Sequence, residues 1–135
     1  MEVIYQLTDN QIEELCTLYQ TEWWASGRTL EETRRCVAGS QICIGIIDED
    51  RSLIGFARVL TDFTFKAFIF DVIISAEHRA SGLGSRLIGL IKGHHQLRSV
   101  KTFELYCRPE LEPFYEKHGF SSEVGSIRLM RQKND

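Results

Sequence analysis

Apolar positions along this chain follow two periods, and the switches between them mark its elements. Three stretches are almost uninterrupted runs of apolar residues and glycine: Gln41 to Asp48, Leu53 to Leu60, and Phe68 to Ile74. Runs of that length, rich in β-branched residues and bounded by polar clusters, read as buried strands. The clusters between them, Asp48-Glu49-Asp50-Arg51-Ser52 and Thr61-Asp62-Phe63-Thr64, are short enough for turns. The three strands therefore form an antiparallel meander, the third beginning near Phe65. Val3 to Leu7 is a short strand ahead of them.

Helical spacing takes over elsewhere. Thr8-Asp9-Asn10-Gln11 has the form of a capping box, and Ile12, Leu15, Cys16 and Tyr19 then share one helix face. That helix runs toward Trp23 and Trp24 until Ser26-Gly27-Arg28 breaks it. Thr29-Leu30-Glu31-Glu32 is a second capping box, opening a short helix with Leu30, Thr33 and Val37 inward and Gly39 at its end. Leu83, Leu87, Leu90 and Ile91 define a long helix reaching about His94. The next strand, Thr102 to Cys107, must run parallel to Phe68–Ile74, because a helix joins them. Glu110 to His118 is a short helix closed by Gly119. The tail offers one or two more strands, Ser126 to Met130 being the better candidate. This order predicts an α+β fold: a mixed, mostly antiparallel sheet with one parallel pair, flanked by helices.

Composition narrows the class. A chain of 135 residues predicts one domain, spanning 1–135, with one core. A net charge of −3 argues against a nucleic-acid surface. No run approaches the ~20 apolar residues of a membrane span. Met1-Glu2-Val3-Ile4-Tyr5 has no basic n-region, so no secretory signal is visible. Cys16, Cys36, Cys43 and Cys107 show neither CxxC spacing nor a zinc set. Reduced thiols in a cytoplasmic protein, with no metal, are the simplest expectation.

The chemistry concentrates between the strand ending at Ile74 and the helix starting near Leu83. The turn there reads Arg79-Ala80-Ser81-Gly82-Leu83-Gly84, followed by Ser85. A glycine-bearing turn into a helix N-terminus is an anion site, because the first N–H groups lack intrahelical partners and glycine leaves room for a phosphate. A Rossmann fingerprint would need a third glycine where Leu87 stands, and a P-loop would need Gly-Lys-Ser/Thr; neither is present. Arg79-x-x-Gly82-x-Gly84, between an apolar strand and an amphipathic helix, resembles the pyrophosphate loop of the GNAT acetyltransferase superfamily. Pro113-Phe114-Tyr115-Glu116-Lys117-His118-Gly119-Phe120 is similar to the Phe-Tyr-x-x-x-Gly-Phe segment near the end of that fold. The resemblance covers most of the chain from Ile42 to Phe120, in order.

The resemblance implies acetyl-CoA as co-substrate and a primary amine of a small molecule or protein as acceptor, attacked directly in a ternary complex. It implies that the two parallel strands splay, with Val72, Ile73 and Ile74 offering main-chain bonds to the pantetheine arm, as in β-augmentation. Arg79, Ala80, Ser81, Gly82, Leu83, Gly84 and Ser85 then form the pyrophosphate loop, and Tyr115 matches the tyrosine that serves the leaving thiolate. Trp24, Phe70 and Cys107 are expected beside the acceptor. Homodimers are common in the family. The asparagine many relatives carry before the last helix is missing; Arg108-Pro109-Glu110 stands there.

The residues leave several roles open. Tyr115 is also read as an amphipathic core tyrosine. Asp71 is the only ionisable side chain from Ala67 to Ile74. It is a base, a substrate anchor or a structural carboxylate bonded to backbone. Alternation puts it opposite Phe68 and Phe70 unless a bulge re-aims it. Glu104 and Tyr106 are other base candidates. Asp71, Glu104 and Glu110 are the carboxylates available for an acidic cleft that would suit a cationic amine. Cys107 lacks a neighbouring histidine and reads as a small strand-end residue. The competing function is a non-catalytic acyl-CoA-binding or sensor module of the same fold.

Overall fold

A computed structural model describes residues 1–134. Strands β1 (Glu2–Ile4), β2 (Ile42–Ile47), β3 (Leu53–Thr61), β4 (Lys66–Ile74) and β5 (Thr102–Leu105) form one sheet in the order β1-β2-β3-β4-β5. The first four are antiparallel to their neighbours, and β4 and β5 are the parallel pair. The helices are α1 (Asp9–Gln20), α2 (Leu30–Ala38), α3 (Leu83–Lys92) and α4 (Glu112–Glu116), so the expected α+β architecture is the one present.

Both capping boxes form. Thr8 accepts from the Gln11 amide while the Gln11 side chain accepts from the Thr8 amide, and Thr29 and Glu32 do the same for α2. Several bounds differ from the sequence expectation. β1 stops at Ile4, α1 ends at Gln20 before the tryptophans, and α3 ends at Lys92, where Gly93 caps it. Glu110 to His118 divides into a 3-10 turn at Pro109–Leu111 and the five residues of α4.

The expected strand at Ser126 to Met130 does not form; residues 126–134 are irregular. Ile127 is 76% and Met130 90% exposed. Alternation in a sequence specifies a face, but a strand also needs a neighbour to take its hydrogen bonds, and none is paired with this segment.

The sheet divides the core in two. Ile42, Ile44, Ile46, Val59, Ala67 and Ile69 pack against Leu83, Leu87, Ile88 and Ile91 of α3. On the other face Cys43, Ile47, Phe56 and Ile73 pack against Leu15 and Tyr19 of α1. Along β4 this places Ala67 and Ile69 toward α3, so Phe68 and Phe70 face the side of α1 and α2.

Two features of β4 position the site. Its pairing with β3 shifts register between Phe56 and Arg58, leaving Asp71 and Val72 opposite Ala57 alone. This is a β-bulge, and Asp71 adopts a left-handed φ of 57° within it. Pairing with β5 covers only Lys66 to Ile69, ending at Ile69↔Leu105. From Phe70 onward the two parallel strands part, and one edge of β4 is left open.

Candidate active site

The loop after β4 ends in an unsatisfied helix terminus. The N-cap of α3 is Gly82, with φ 82° and no side-chain cap, whereas α1 and α2 both have complete capping boxes. Among the described residues, none of the six N–H groups from Ala80 to Ser85 donates to a protein acceptor; the first helical bond is Arg86 N–H to the Gly82 carbonyl at 3.0 Å. Ala80 is also left-handed, at φ 64°. Successive outward N–H groups at the positive end of a helix dipole form a cradle for an anion, and the first turn carries no acidic residue to oppose one.

The two glycines of the loop do different work. A Cβ at Gly82 would meet nothing within 4 Å, so its backbone conformation is what requires glycine. A Cβ at Gly84 would lie 3.3 Å from Cζ of Phe114, so glycine there lets α4 pack on the first turn of α3. Leu83 is buried in the core and offers the loop only its amide. Arg79 turns away: its guanidinium donates to Glu22 Oε1 at 3.0 Å and to the Ile74 carbonyl at 3.2 Å. Ser81 bonds the His78 carbonyl. Ser85 Oγ lies 3.1 Å from His118 Nε2, which brings a histidine to the cradle. Sequence reasoning passed over His118; its only signal was its place as an unfixed residue before Gly119.

The open edge of β4 follows the loop. Ser75 N–H donates to the Ile54 carbonyl at 2.9 Å. Alternation then turns the peptide groups of Ile73 toward β3, opposite Phe56, and those of Ile74 toward the opening left by β5. Of the three residues expected to offer main-chain bonds, Ile73 is therefore engaged in the sheet, and the open side belongs to the bulged Val72 and to Ile74, whose carbonyl already accepts from Arg79.

Tyr115 lies on α4, half-buried, with its ring edge-on to Phe114 and Phe120. Burial, with a smaller contribution from Cys107, pushes its phenol up to about 12. Cys107 is exposed beside it, and its thiol is raised by partial burial and Glu112, so nothing here favours a thiolate nucleophile. Phe68, Tyr106, Cys107 and Tyr115 border one cavity of about 670 Å³, which Ile127 and Leu129 of the tail also line.

Asp71 is an ion-paired carboxylate. The bulge turns it onto the face of Phe70 rather than the opposite one. There Oδ2 accepts from Arg58 Nε at 2.7 Å, Arg28 Nη1 at 2.9 Å and Tyr19 Oη at 2.8 Å. Burial alone would raise its pKa, but the hydrogen bonds and charges of Arg58 and Arg28 outweigh it and hold the carboxyl below its usual range. Burial and the adjoining carboxylate push the Tyr19 phenol far above its ordinary value. The structural alternative had backbone donors; the donors are side chains. Arg28 lies over the rings of Tyr19 and Trp24, at 4.5 and 5.4 Å, and Arg58 lies 5.0 Å from the centre of Phe70. Phe70 in turn touches Tyr106 at 5.7 Å, which joins this cluster to the Tyr115 cavity. Trp24 is half-buried, whereas Trp23 is 69% exposed beneath Arg108.

The acidic cleft does not materialise. Glu104 pairs with Lys66 at 3.1 Å, Glu110 with Arg108 at 3.3 Å, and Asp71 with two arginines. Among the described residues no group of His, Cys, Asp or Glu is arranged to hold a metal.

Known proteins share this fold. The sequence model of the acetyltransferase (GNAT) family matches residues 6–120. The N-acetyltransferase ycf52 of Pyropia yezoensis, itself uncharacterized, is 29% identical over 123 residues, which are 89% of this chain and 68% of that protein. A Xanthomonas campestris protein assigned to the GNAT family superposes with a TM-score of 0.82 at 26% identity, over 99% of this chain and 94% of the other. The fold also matches an aminoglycoside 6'-N-acetyltransferase solved with coenzyme A, at TM-score 0.66 and 18% identity, over 78% of this chain and 61% of that one.

Proposed function

The chain belongs to the GNAT acetyltransferase family, and from that premise we propose that it moves the acetyl group of acetyl-CoA to a primary amine by direct attack in a ternary complex. The observation that carries the proposal is the six unpaired N–H groups from Ala80 to Ser85 beside the edge of β4 that β5 leaves open. The cradle fits the pyrophosphate of coenzyme A. The open edge fits an amide-bearing arm, which takes main-chain bonds as an added strand would.

Tyr115 is assigned to the leaving group. A phenol held at about 12 stays protonated at any working pH. Full transfer of its proton to a thiolate of ordinary pKa, near ~8.5, is uphill by several units. Its contribution is then a hydrogen bond donated to the sulfur as negative charge develops there, which is stronger in the transition state than in the ground state. Asp71 is assigned to positioning rather than to proton removal. A carboxylate with three donors on one oxygen and a depressed pKa is a weak base. Arg28, Trp24, Phe70 and Tyr106 form the surface offered to the acceptor.

A heat-shift scan with acetyl-CoA, coenzyme A, NAD and ATP, followed by thiol release across an amine panel, tests the reading. Stabilisation by the two coenzyme A species, with amine-dependent release, is the expected result. Stabilisation without release for any amine would instead identify an acyl-CoA-binding module, and no stabilisation would refute the loop assignment.

A further inference from the structure

On the side of β4 that faces α1 and α2, the ion pairing at Asp71 is uneven. There two guanidinium groups share a single oxygen of one carboxylate. Arg58 spends Nε on Asp71 and Nη1 on Ser40 Oγ at 3.4 Å, and Arg28 spends Nη1 on Asp71. Among the described residues, Arg58 Nη2 and Arg28 Nε and Nη2 have no protein acceptor. Among the described residues no side-chain nitrogen or oxygen is both sealed from solvent and unpaired, so these N–H groups keep contact with solvent.

Both guanidinium planes are fixed before anything binds. Arg28 is held against Tyr19 and Trp24, and Arg58 against Phe70. Asp71 ties the two together and offsets one of their two charges. What remains is a preorganised centre with one surplus positive charge, walled by aromatic rings. A rigid guanidinium fork with free N–H groups matches the oxygens of a carboxylate or phosphate. The same centre repels an acceptor whose body is cationic.

We propose that Arg28 and Arg58 bind an anionic group on the acceptor, which is a primary amine carrying a carboxylate or a phosphate. This rests on the acetyltransferase reading and narrows it. A purely structural Arg28, stapling the loop before α2 to the sheet, would affect stability but not the choice between charged and neutral acceptors. The preference is also opposite to that of simple amine reactivity, because a neighbouring carboxylate makes an amine harder to deprotonate than the corresponding amide does.

The test compares acceptors that differ only in the anion: L-phenylalanine with L-phenylalaninamide, and O-phosphoethanolamine with ethanolamine. Thiol release from acetyl-CoA gives kcat/KM for each, and calorimetry on the coenzyme A-loaded protein gives Kd for the same compounds. The expected result is a preference of at least ~10-fold for the anionic member of one pair, which identifies carboxylate or phosphate. That ratio should fall toward one in Arg28→Gln, recover in part in Arg28→Lys, and leave acetyl-CoA affinity unchanged. Neutral members engaged as well as charged ones, a ratio unmoved by Arg28→Gln, or no member engaged would each overturn the proposal. Acetyl-CoA affinity, measured in parallel, separates the two readings: if acetyl-CoA fails to bind, the acetyltransferase reading itself falls.

Discussion

Replacing Asp71 with Asn removes one charge and little else. The side chain keeps its shape, and Asn tolerates the left-handed φ of 57° as well as Asp does, so no new backbone strain enters. What is lost is the charge on an oxygen that accepts from Arg58, Arg28 and Tyr19. Breaking a buried ion pair from one side costs about 3–5 kcal/mol, which sets a ceiling. The Arg28 side chain is 30% exposed and regains water, so its share is small. Arg58, at 14%, and Tyr19, fully buried, recover much less. The sum is about 3 kcal/mol, or roughly 10 °C in Tm for a domain of this size.

The pH dependence has a definite sign. A folded-state pKa below the unfolded value means that the unfolded chain binds more protons, so the contribution is complete above the ordinary carboxylate range, near ~4. It is lost as the pH falls through the lowered value. The gap between wild type and Asp71→Asn should therefore be full at pH 7 and narrow below about pH 4. Urea midpoints across that range, with thiol-release rates on the same preparations, make the measurement. An Asn variant that melts within about 2 °C of wild type at pH 7 but loses ~10²-fold in turnover would mean Asp71 is the base and the ion-pair argument is wrong.

Other outcomes follow from the same geometry. Gly82→Val should weaken acetyl-CoA binding by about 2 kcal/mol, because a β-branched residue cannot hold φ 82° and a side chain there stands in the phosphate approach; calorimetry on folded variant with wild-type affinity would refute the cradle. Gly84→Val should act through packing, with about 1–3 kcal/mol lost from stability as Phe114 is displaced, and Phe114→Ala in the same chain should relieve part of it; additive melts would refute that origin. Tyr115→Phe should lower turnover by roughly 10²–10³-fold at unchanged acetyl-CoA affinity, the loss expected for one preorganised hydrogen-bond donor. Spectrophotometric titration should assign to Tyr115 a phenol ionising near 12, and wild-type turnover in the Phe variant would return the residue to core packing.

How far the sequence could be read depended on the distance over which each feature is encoded. Capping boxes are complete within four residues, and both formed as expected. The strands, the strand-loop-helix order and Gly82 at a left-handed N-cap are likewise local. The partners of Asp71 are not: Arg58, Arg28 and Tyr19 lie 13, 43 and 52 residues away, and only the folded sheet and the loop before α2 bring them to one oxygen. Gly84 was legible as a glycine but not as the floor beneath Phe114. The tail had the right alternation and still formed no strand, because hydrogen-bond partners for a strand are supplied by tertiary structure.

The bulge at Asp71 links the two halves of the site. Without it, alternation would direct Asp71 toward α3, and the arginines would face the sheet without a counter-charge. With it, the carboxylate joins Phe70 on the acceptor side, while the residue after it lies along the edge that β5 has left. One left-handed residue thus places a side-chain cluster on one side of β4 and an open main-chain edge beside it. On the proposed reading the cofactor half of the site is built from amides, which any sequence with the right glycines can supply. The proposed acceptor half depends instead on side chains distant in sequence, Arg28 and Arg58 among them, gathered on Asp71. Its preference can therefore change by substitution at Arg28 or Arg58 while the cradle from Ala80 to Ser85 stays intact. That separation predicts acceptor variants of this chain that keep full affinity for acetyl-CoA.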